Sequence, residues 1–267
     1  MRENMKNWTK FEKIWLVTFL TMVLGSTIYF SITGTDYTSW HSILLNWVIA
    51  PISAISGILC VVLVAKGKLS NYAWGTVNCI TYGYVAYMSG YYGDSIINIF
   101  YFLPFQLIGW LWWKKHLRPN SKEDVIMRKM SWKQIVVLTL GCVVATFIIG
   151  IGLFKVDFWF VNVMKRNVSI YTYIENVFHI PLLGPVFDAS TEVLQFVAQI
   201  LMTIAFAEQW VLWILVNILS IVMWVSVIIA EPTSIAWAMP TLIMWIAYFF
   251  NSLYGYVMWL RGAKQSV

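Results

Sequence analysis

The run QWVLWILVNILSIVMW, Gln209 to Trp224, contains no ionisable side chain and as a helix would cross most of a bilayer. At helical spacing Trp210, Trp213, Asn217, Ser220 and Trp224 share one face, while Leu212, Ile214, Leu215, Ile218 and Val222 cover the others. A helix this apolar belongs in lipid or deep in a bundle. There, a column of indoles broken by an amide offers a flat organic solute both a stacking surface and a directional hydrogen-bond partner. The spacing recurs upstream, where Trp74-Gly-Thr-Val-Asn78 repeats the Trp-x-x-x-Asn of Trp213 to Asn217.

The rest of the chain is of the same kind. With 60% hydrophobic and 11% charged residues among 267, and a mean hydropathy of +0.72, it is too apolar for a soluble domain and reads as an integral membrane protein. Eight apolar stretches, each near the roughly 20 residues a spanning helix needs, run at about 14–32, 42–65, 72–93, 95–113, 134–154, 185–207, 209–230 and 234–260. Long windows of alternating polarity, the mark of a membrane barrel, are absent from the sequence. The expected class is therefore all-α, with eight transmembrane helices. Cys60, Cys79 and Cys142 all lie inside apolar stretches, so no disulfide framework is expected. The first stretch has no small-residue cleavage pattern after a short core and is expected to be a retained helix.

The net charge of +6 does not point to nucleic acid, because the charges mark loops. If the N-terminus lies inside, all of the 18 lysines and arginines except Lys155, Lys165 and Arg166 fall on inner segments. Both termini are accordingly expected in the cytoplasm, with the chain in the cytoplasmic membrane. The polar segment Lys114 to Lys133 is expected to be a cytoplasmic linker. Trp110, Trp112 and Trp113 just before it are expected to anchor at the interface. Residues 155–184, with Trp159, Phe160, Tyr171, Tyr173 and Phe178, suit a segment lying along the outer surface.

The Trp-x-x-x-Asn echo pairs the third span with the seventh, and Gly109-x-x-x-Trp113 matches Gly255-x-x-x-Trp259 in the spans that follow. Two triplets emerge, 42–113 and 185–260, joined through the loop, span and loop of 114–184. They are preceded by the basic segment and additional helix of 1–41 and followed by a tail at 261–267. The triplets start four crossings apart and so point the same way. A pseudo-twofold axis along the membrane normal is expected, with a site between the halves near mid-membrane.

Polar side chains inside the spans are the candidates for that site. Asp188, Glu192, Gln195 and Gln199 form one stripe on the sixth span, and carboxylates in a bilayer normally face a cavity or a partner. For Asp188 and Glu192 the plainer reading is contact with headgroups at the outer end. Asn98, Tyr101 and Gln106 stand on the fourth span and Trp237, Trp245, Tyr248 and Asn251 on the eighth; with Trp74, Asn78, Trp210, Trp213 and Asn217 they complete the set. Most of the 16 tryptophans should be belt or packing residues. No lysine or arginine falls within the core of a span. A phosphorylated solute would need a cation to replace its lost water, so the pattern favours a neutral or cationic aromatic solute that stacks on indoles and bonds to amides. No cluster of histidine or cysteine has metal-ligand spacing, no nucleophile–histidine pair falls in a span, and no Gly-rich phosphate loop ends in Gly-Lys-Ser/Thr. No enzyme, cofactor or metal site is expected.

Taken together, Trp74-Gly-Thr-Val-Asn78, Gly90-Tyr-Tyr-Gly-Asp94 with Asn98, Gln106-x-x-Gly109-Trp110, Asp188-x-x-x-Glu192 with Ala198-Gln199, Trp210-x-x-Trp213-x-x-x-Asn217 and Asn251-x-x-x-Gly255 resemble the Pnu vitamin transporters, most closely their PnuC-type nicotinamide riboside members. The resemblance covers about Ser42 to Arg261. It implies two parallel three-helix repeats joined by a linker helix, a fold related to the SWEET sugar transporters, with the first span here an addition. It further implies facilitated diffusion of nicotinamide riboside, trapping by a cytosolic kinase that phosphorylates it, and a homotrimer. By the same resemblance the binding residues fall on Trp210, Trp213 and Asn217, with Asn98 and Gln106 as polar contacts. Thiamine, riboflavin and deoxynucleosides are carried by sister groups and stay open, as does proton coupling through Glu192.

Overall fold

The computed structural model describes residues 8–34, 40, 44–88, 92–162, 177–181, 183–230 and 235–264. Helix α1 is Lys10–Gly34. Helix α2, Ala50–Ala65, is entered through a π-helical turn, Leu45–Ile49. Then come α3, Asn71–Met88, and α4, Tyr92–Ile97, which continues through a second π turn, Asn98–Phe102, into α5, Leu103–Lys115. The remainder are α6, Trp132–Asn162, α7, Leu183–Thr203, α8, Gln209–Ala230, and α9, Ile235–Lys264. Among the described residues only isolated bridges interrupt this all-helical pattern. Among the described residues five helical segments, Trp47–Ala65, Ser95–Lys115, Trp132–Lys155, Gln209–Ser226 and Leu242–Lys264, are long and apolar enough to cross a membrane.

Each π turn hands over to a helix with a proline in its first turn. A proline ring in mid-helix would press on the carbonyl four residues back. A wider turn, in which Leu103 N–H reaches Asn98 O, gives it room. Helix α3 is described as far as Met88, and α6 runs on to Asn162, about two turns past Phe154. Tyr171 and Tyr173, expected at the interface, lie outside the described residues, and Phe178 is exposed.

Helix α2 packs on α3, and α3 on α4 and α5; likewise α7 packs on α8, and α8 on α9. Between these groups α9 lies against α2 and α5 against α7, so the cross-contacts are reciprocal. Helix α6 packs on α7, and α1 bridges α2 and α9. The turns α2–α3 and α7–α8 match bond for bond. Lys68 N–H reaches Leu63 O and Phe206 N–H reaches Leu201 O, both at 2.9 Å. Gly67 and Ala205 occupy the left-handed position, at φ 65° and 57°. Glycine takes that conformation freely, whereas alanine bears a cost of about 1–2 kcal/mol.

These turns set the register of the two halves. Laying Gly67 on Ala205 lays Tyr72 on Trp210 and puts Gly75, not Trp74, on Trp213. Asn217 then matches Cys79, not Asn78. The expected Trp-x-x-x-Asn superposition is therefore out by one residue, which on a helix turns a side chain by about 100°. The Gly-x-x-x-Trp match, in contrast, corresponds in detail. A Cβ at Gly109 would run into the Tyr72 ring, and one at Gly255 would come within 2.6 Å of the Trp210 ring. Trp113 Nε1–H donates to Met202 O at 3.1 Å, and Trp259 Nε1–H donates to Val64 O at 2.9 Å. Trp113 is thus a fully buried cross-brace rather than an interfacial anchor, because its indole is the counterpart of Trp259. Trp112 instead stacks on His116, and Trp110 lies beneath Lys114.

The polar linker is docked rather than loose. Val125 N–H bonds Gly67 O at 3.0 Å and Arg128 N–H bonds Ala205 O at 2.8 Å, so one strand of chain laces both turns. Val125 and Met127 are buried beneath it, in the same cluster as Tyr72, Trp113, Trp210 and Trp259. Nearby, α1 is fixed by Glu12, whose carboxylate accepts from Lys66 Nζ at 2.8 Å and from Tyr254 Oη at 2.7 Å. Burial pushes the Glu12 carboxyl up, but these bonds outweigh it and hold the group below the ordinary carboxylate range.

Candidate functional site

Between the two helix groups lies a cavity of about 170 Å³. One wall is built by α8, whose Trp210, Trp213 and Asn217 all reach it, as their shared helical face requires. Trp210 is nearly fully buried, its ring edge-on to Trp259 at 6.2 Å and its Nε1–H without a partner in the protein. Asn217 is held by Nδ2–H donation to Ser252 Oγ at 3.0 Å. Trp213 is half-buried and lines the same cavity.

The opposite wall comes from α2, α3 and α5. Asn98 sits at the start of the second π turn, a local widening that often marks a functional position. Gln106 donates from Nε2 to Phe102 O at 3.2 Å, one turn back, and its Oε1 has no hydrogen-bond partner in the protein. Asn78 Nδ2–H bonds Ser53 O at 2.9 Å, and Asn251 on α9 bonds Val61 O at 3.0 Å, so these two amides also tie helices together. Two glycines make the wall thin. A Cβ at Gly57 would meet Tyr248 Oη and Asn78 Nδ2, and one at Gly75 would overlap Gln106 Oε1.

Of the residues singled out in the sequence, Asn78, Asn98, Gln106, Gln195, Gln199, Trp210, Trp213, Asn217, Trp245, Tyr248 and Asn251 line this one cavity. Among the described side chains four do not. Tyr101 instead donates from Oη to Phe196 O at 2.6 Å. Trp74 is 36% exposed on the outside of α3, as the one-residue slip in register dictates. Asp188 and Glu192 share a face of α7 with Gln195 and Gln199, but the cavity reaches only the C-terminal half of that helix. Glu192 stands about 10 Å along the axis from Gln199. Gly57, Cys60, Gly75, Cys79, Tyr82, Met244 and Ser252 also line the cavity. Gly57 and Gly75 could have been suspected, since glycine within a helix often marks a close approach of side chains. Among the described residues the lining contains no charged side chain and no histidine. Its chemistry is stacking and neutral hydrogen bonding.

A bundle of apolar helices enclosing a small, uncharged, amide- and indole-lined cavity between two similarly packed groups defines a membrane protein built around a small organic solute. Comparison with known proteins makes this specific. Residues 47–261 match the family described as nicotinamide mononucleotide transporter, and the chain belongs to that family. The nicotinamide riboside transporters PnuC of Neisseria mucosa and Haemophilus influenzae are each 33% identical to it over 99% of its length, covering 86% and 96% of their own. The PnuC of Escherichia coli is 27% identical over 83% of the chain and 88% of its own. A crystal structure of the vitamin B3 transporter PnuC superposes with a TM-score of 0.68 at 31% identity, covering 98% of this chain and 95% of that one.

Proposed function

We propose that the chain carries nicotinamide riboside across the cytoplasmic membrane by facilitated diffusion, binding it in the central cavity. The observation that carries this reading is the cavity lining: indoles of Trp210 and Trp213 beside the amides of Asn98, Gln106, Gln199 and Asn217, with no fixed charge. A pyridinium ring gains roughly 0.5–2 kcal/mol over indole faces, and the amides and Tyr248 suit a carboxamide and a ribose diol. The mononucleotide in the family's description carries a phosphate that this lining has no cation to receive, which favours the nucleoside.

The relatives' names agree with that substrate. Uniport is favoured over proton coupling because Glu192, the intramembrane carboxylate best placed on sequence to relay a proton, stands off the cavity. In this reading eight helices cross the membrane, α2 to α5 and α7 to α9 form parallel repeats about a pseudo-twofold axis, and α6 links them. The matched turns, the mirrored indole bonds and the reciprocal contacts support it. Both termini lie in the cytoplasm, three copies assemble, and a cytosolic kinase traps the imported nucleoside.

The decisive experiment is a calorimetric titration of purified protein with nicotinamide riboside, its 5′-phosphate, thiamine and riboflavin, paired with uptake into liposomes holding only this chain. Saturable binding of the nucleoside alone, and uptake unchanged by an imposed pH gradient, are expected. Preference for thiamine, or uptake that follows the proton gradient, overturns the proposal.

A further inference from the structure

We infer that the cavity reads the primary carboxamide of its solute through two amides of its wall, Gln106 and Gln199, and so rejects the same nucleoside carrying a carboxylate in that place. The inference rests on the substrate reading above. Both side chains are more than nine-tenths buried and line the cavity. Gln106 Oε1 is an acceptor with no donor in the protein, and Gln199 Nε2 is a donor with no acceptor. Buried polar atoms left this way are costly unless something arrives to pair with them.

The orientation of Gln106 is fixed. Its Nε2–H donates to Phe102 O, and turning the amide over would set two carbonyl oxygens against each other. The oxygen must then lie over Gly75, where any Cβ would collide with it. Two contacts between the helices bracket the pair: Tyr101 Oη donates to Phe196 O on one side, and Trp113 Nε1 donates to Met202 O on the other. An acceptor and a donor therefore stand on one stretch of wall.

A primary carboxamide is the complement of that arrangement, its NH₂ donating to Gln106 and its oxygen accepting from Gln199. A carboxylate has no hydrogen to give Gln106 and presents a negative oxygen to another lone pair. The cavity lining offers no cation to offset this. Discrimination is steep when a site's buried polar groups are left unpaired by the wrong solute.

Calorimetry on the purified, unaltered protein with the carboxamide and carboxylate nucleosides tests this first. At least a tenfold preference for the carboxamide is expected. Equal affinities overturn the inference while leaving a pyridinium nucleoside as substrate; binding of neither overturns both. Gln106→Leu should then lower carboxamide affinity about tenfold and leave the carboxylate form where it was, collapsing the ratio. Gly75→Ala, which displaces the oxygen without deleting it, should shift the ratio the same way. A ratio unchanged in both variants, with each monodisperse and still binding, removes Gln106 from recognition.

Discussion

The group α2 to α5 and the group α7 to α9 share a backbone plan but not a chemistry. Where the second half places Trp213 against the cavity, the first places Gly75; where the second has Asn217 bonded to Ser252, the first has Cys79 and Gln106. Gly57 answers Gln195, and Phe102 answers Tyr248. Matched frames keep a cavity between them. Unmatched side chains give it a stacking wall and a hydrogen-bonding wall, which a solute with one flat end and several polar groups requires and which two identical halves would not supply.

The features common to both halves should give the largest effects when broken. Gly255→Ala drives a methyl group into the Trp210 ring and should cost about 1–3 kcal/mol of stability by overpacking, with loss of ligand binding, and Gly109→Ala should cost a similar amount against Tyr72. Thermal unfolding in detergent measures both, with Gly25→Ala, where a Cβ meets nothing, as the control. A neutral Gly255→Ala would undo the equivalence of the two positions.

Next in size is the asymmetry itself. Trp213→Ala should weaken nicotinamide riboside binding by about 1–2 kcal/mol, while Trp74→Ala should leave calorimetric affinity within about twofold. The reverse result would restore the register that the motif alone suggests. Smaller again, Trp113→Phe and Trp259→Phe each remove one indole-to-carbonyl bond and should each lower stability by about 1 kcal/mol in the same melting assay. Unequal losses would show that the halves differ in packing as well as in lining.

The smallest effect concerns α1, which touches both halves through Glu12. Its carboxyl titrates lower in the folded chain than in the unfolded one. Its stabilising contribution is therefore complete above the unfolded carboxylate range of about 4.3 and lost as pH falls below that through the lowered folded value. Melting temperature of Glu12→Gln against the parent should differ near neutrality, and the gap should close in acid. A gap independent of pH would mean the pair acts by packing alone.

Much of this was legible in the sequence because bilayer-length apolar runs and a helical stripe of polar residues depend on local spacing. The residues on α8, the amides Asn98, Gln106, Gln195 and Gln199, and the Gly-x-x-x-Trp correspondence all followed from it. What misled was depth and phase. Asp188 and Glu192 share a face with Gln195 and Gln199, but sequence does not say how far along a helix a cavity extends. Trp74 fell to a one-residue slip that only the turns at Gly67 and Ala205 resolve. Trp113 looked like its interfacial neighbours because burial between Trp110 and Lys114 depends on a partner helix distant in the chain.

The linker that reads as a spacer has a mechanical consequence. Its backbone is stitched to the turn of each half through Val125 and Arg128, over a plug of aromatic rings. Spreading the halves at that end means unpicking main-chain bonds, whereas spreading them at the far end leaves those stitches intact. The bundle therefore has one laced side before any solute enters, and the seam belongs to the piece of chain that appeared to have the least to do.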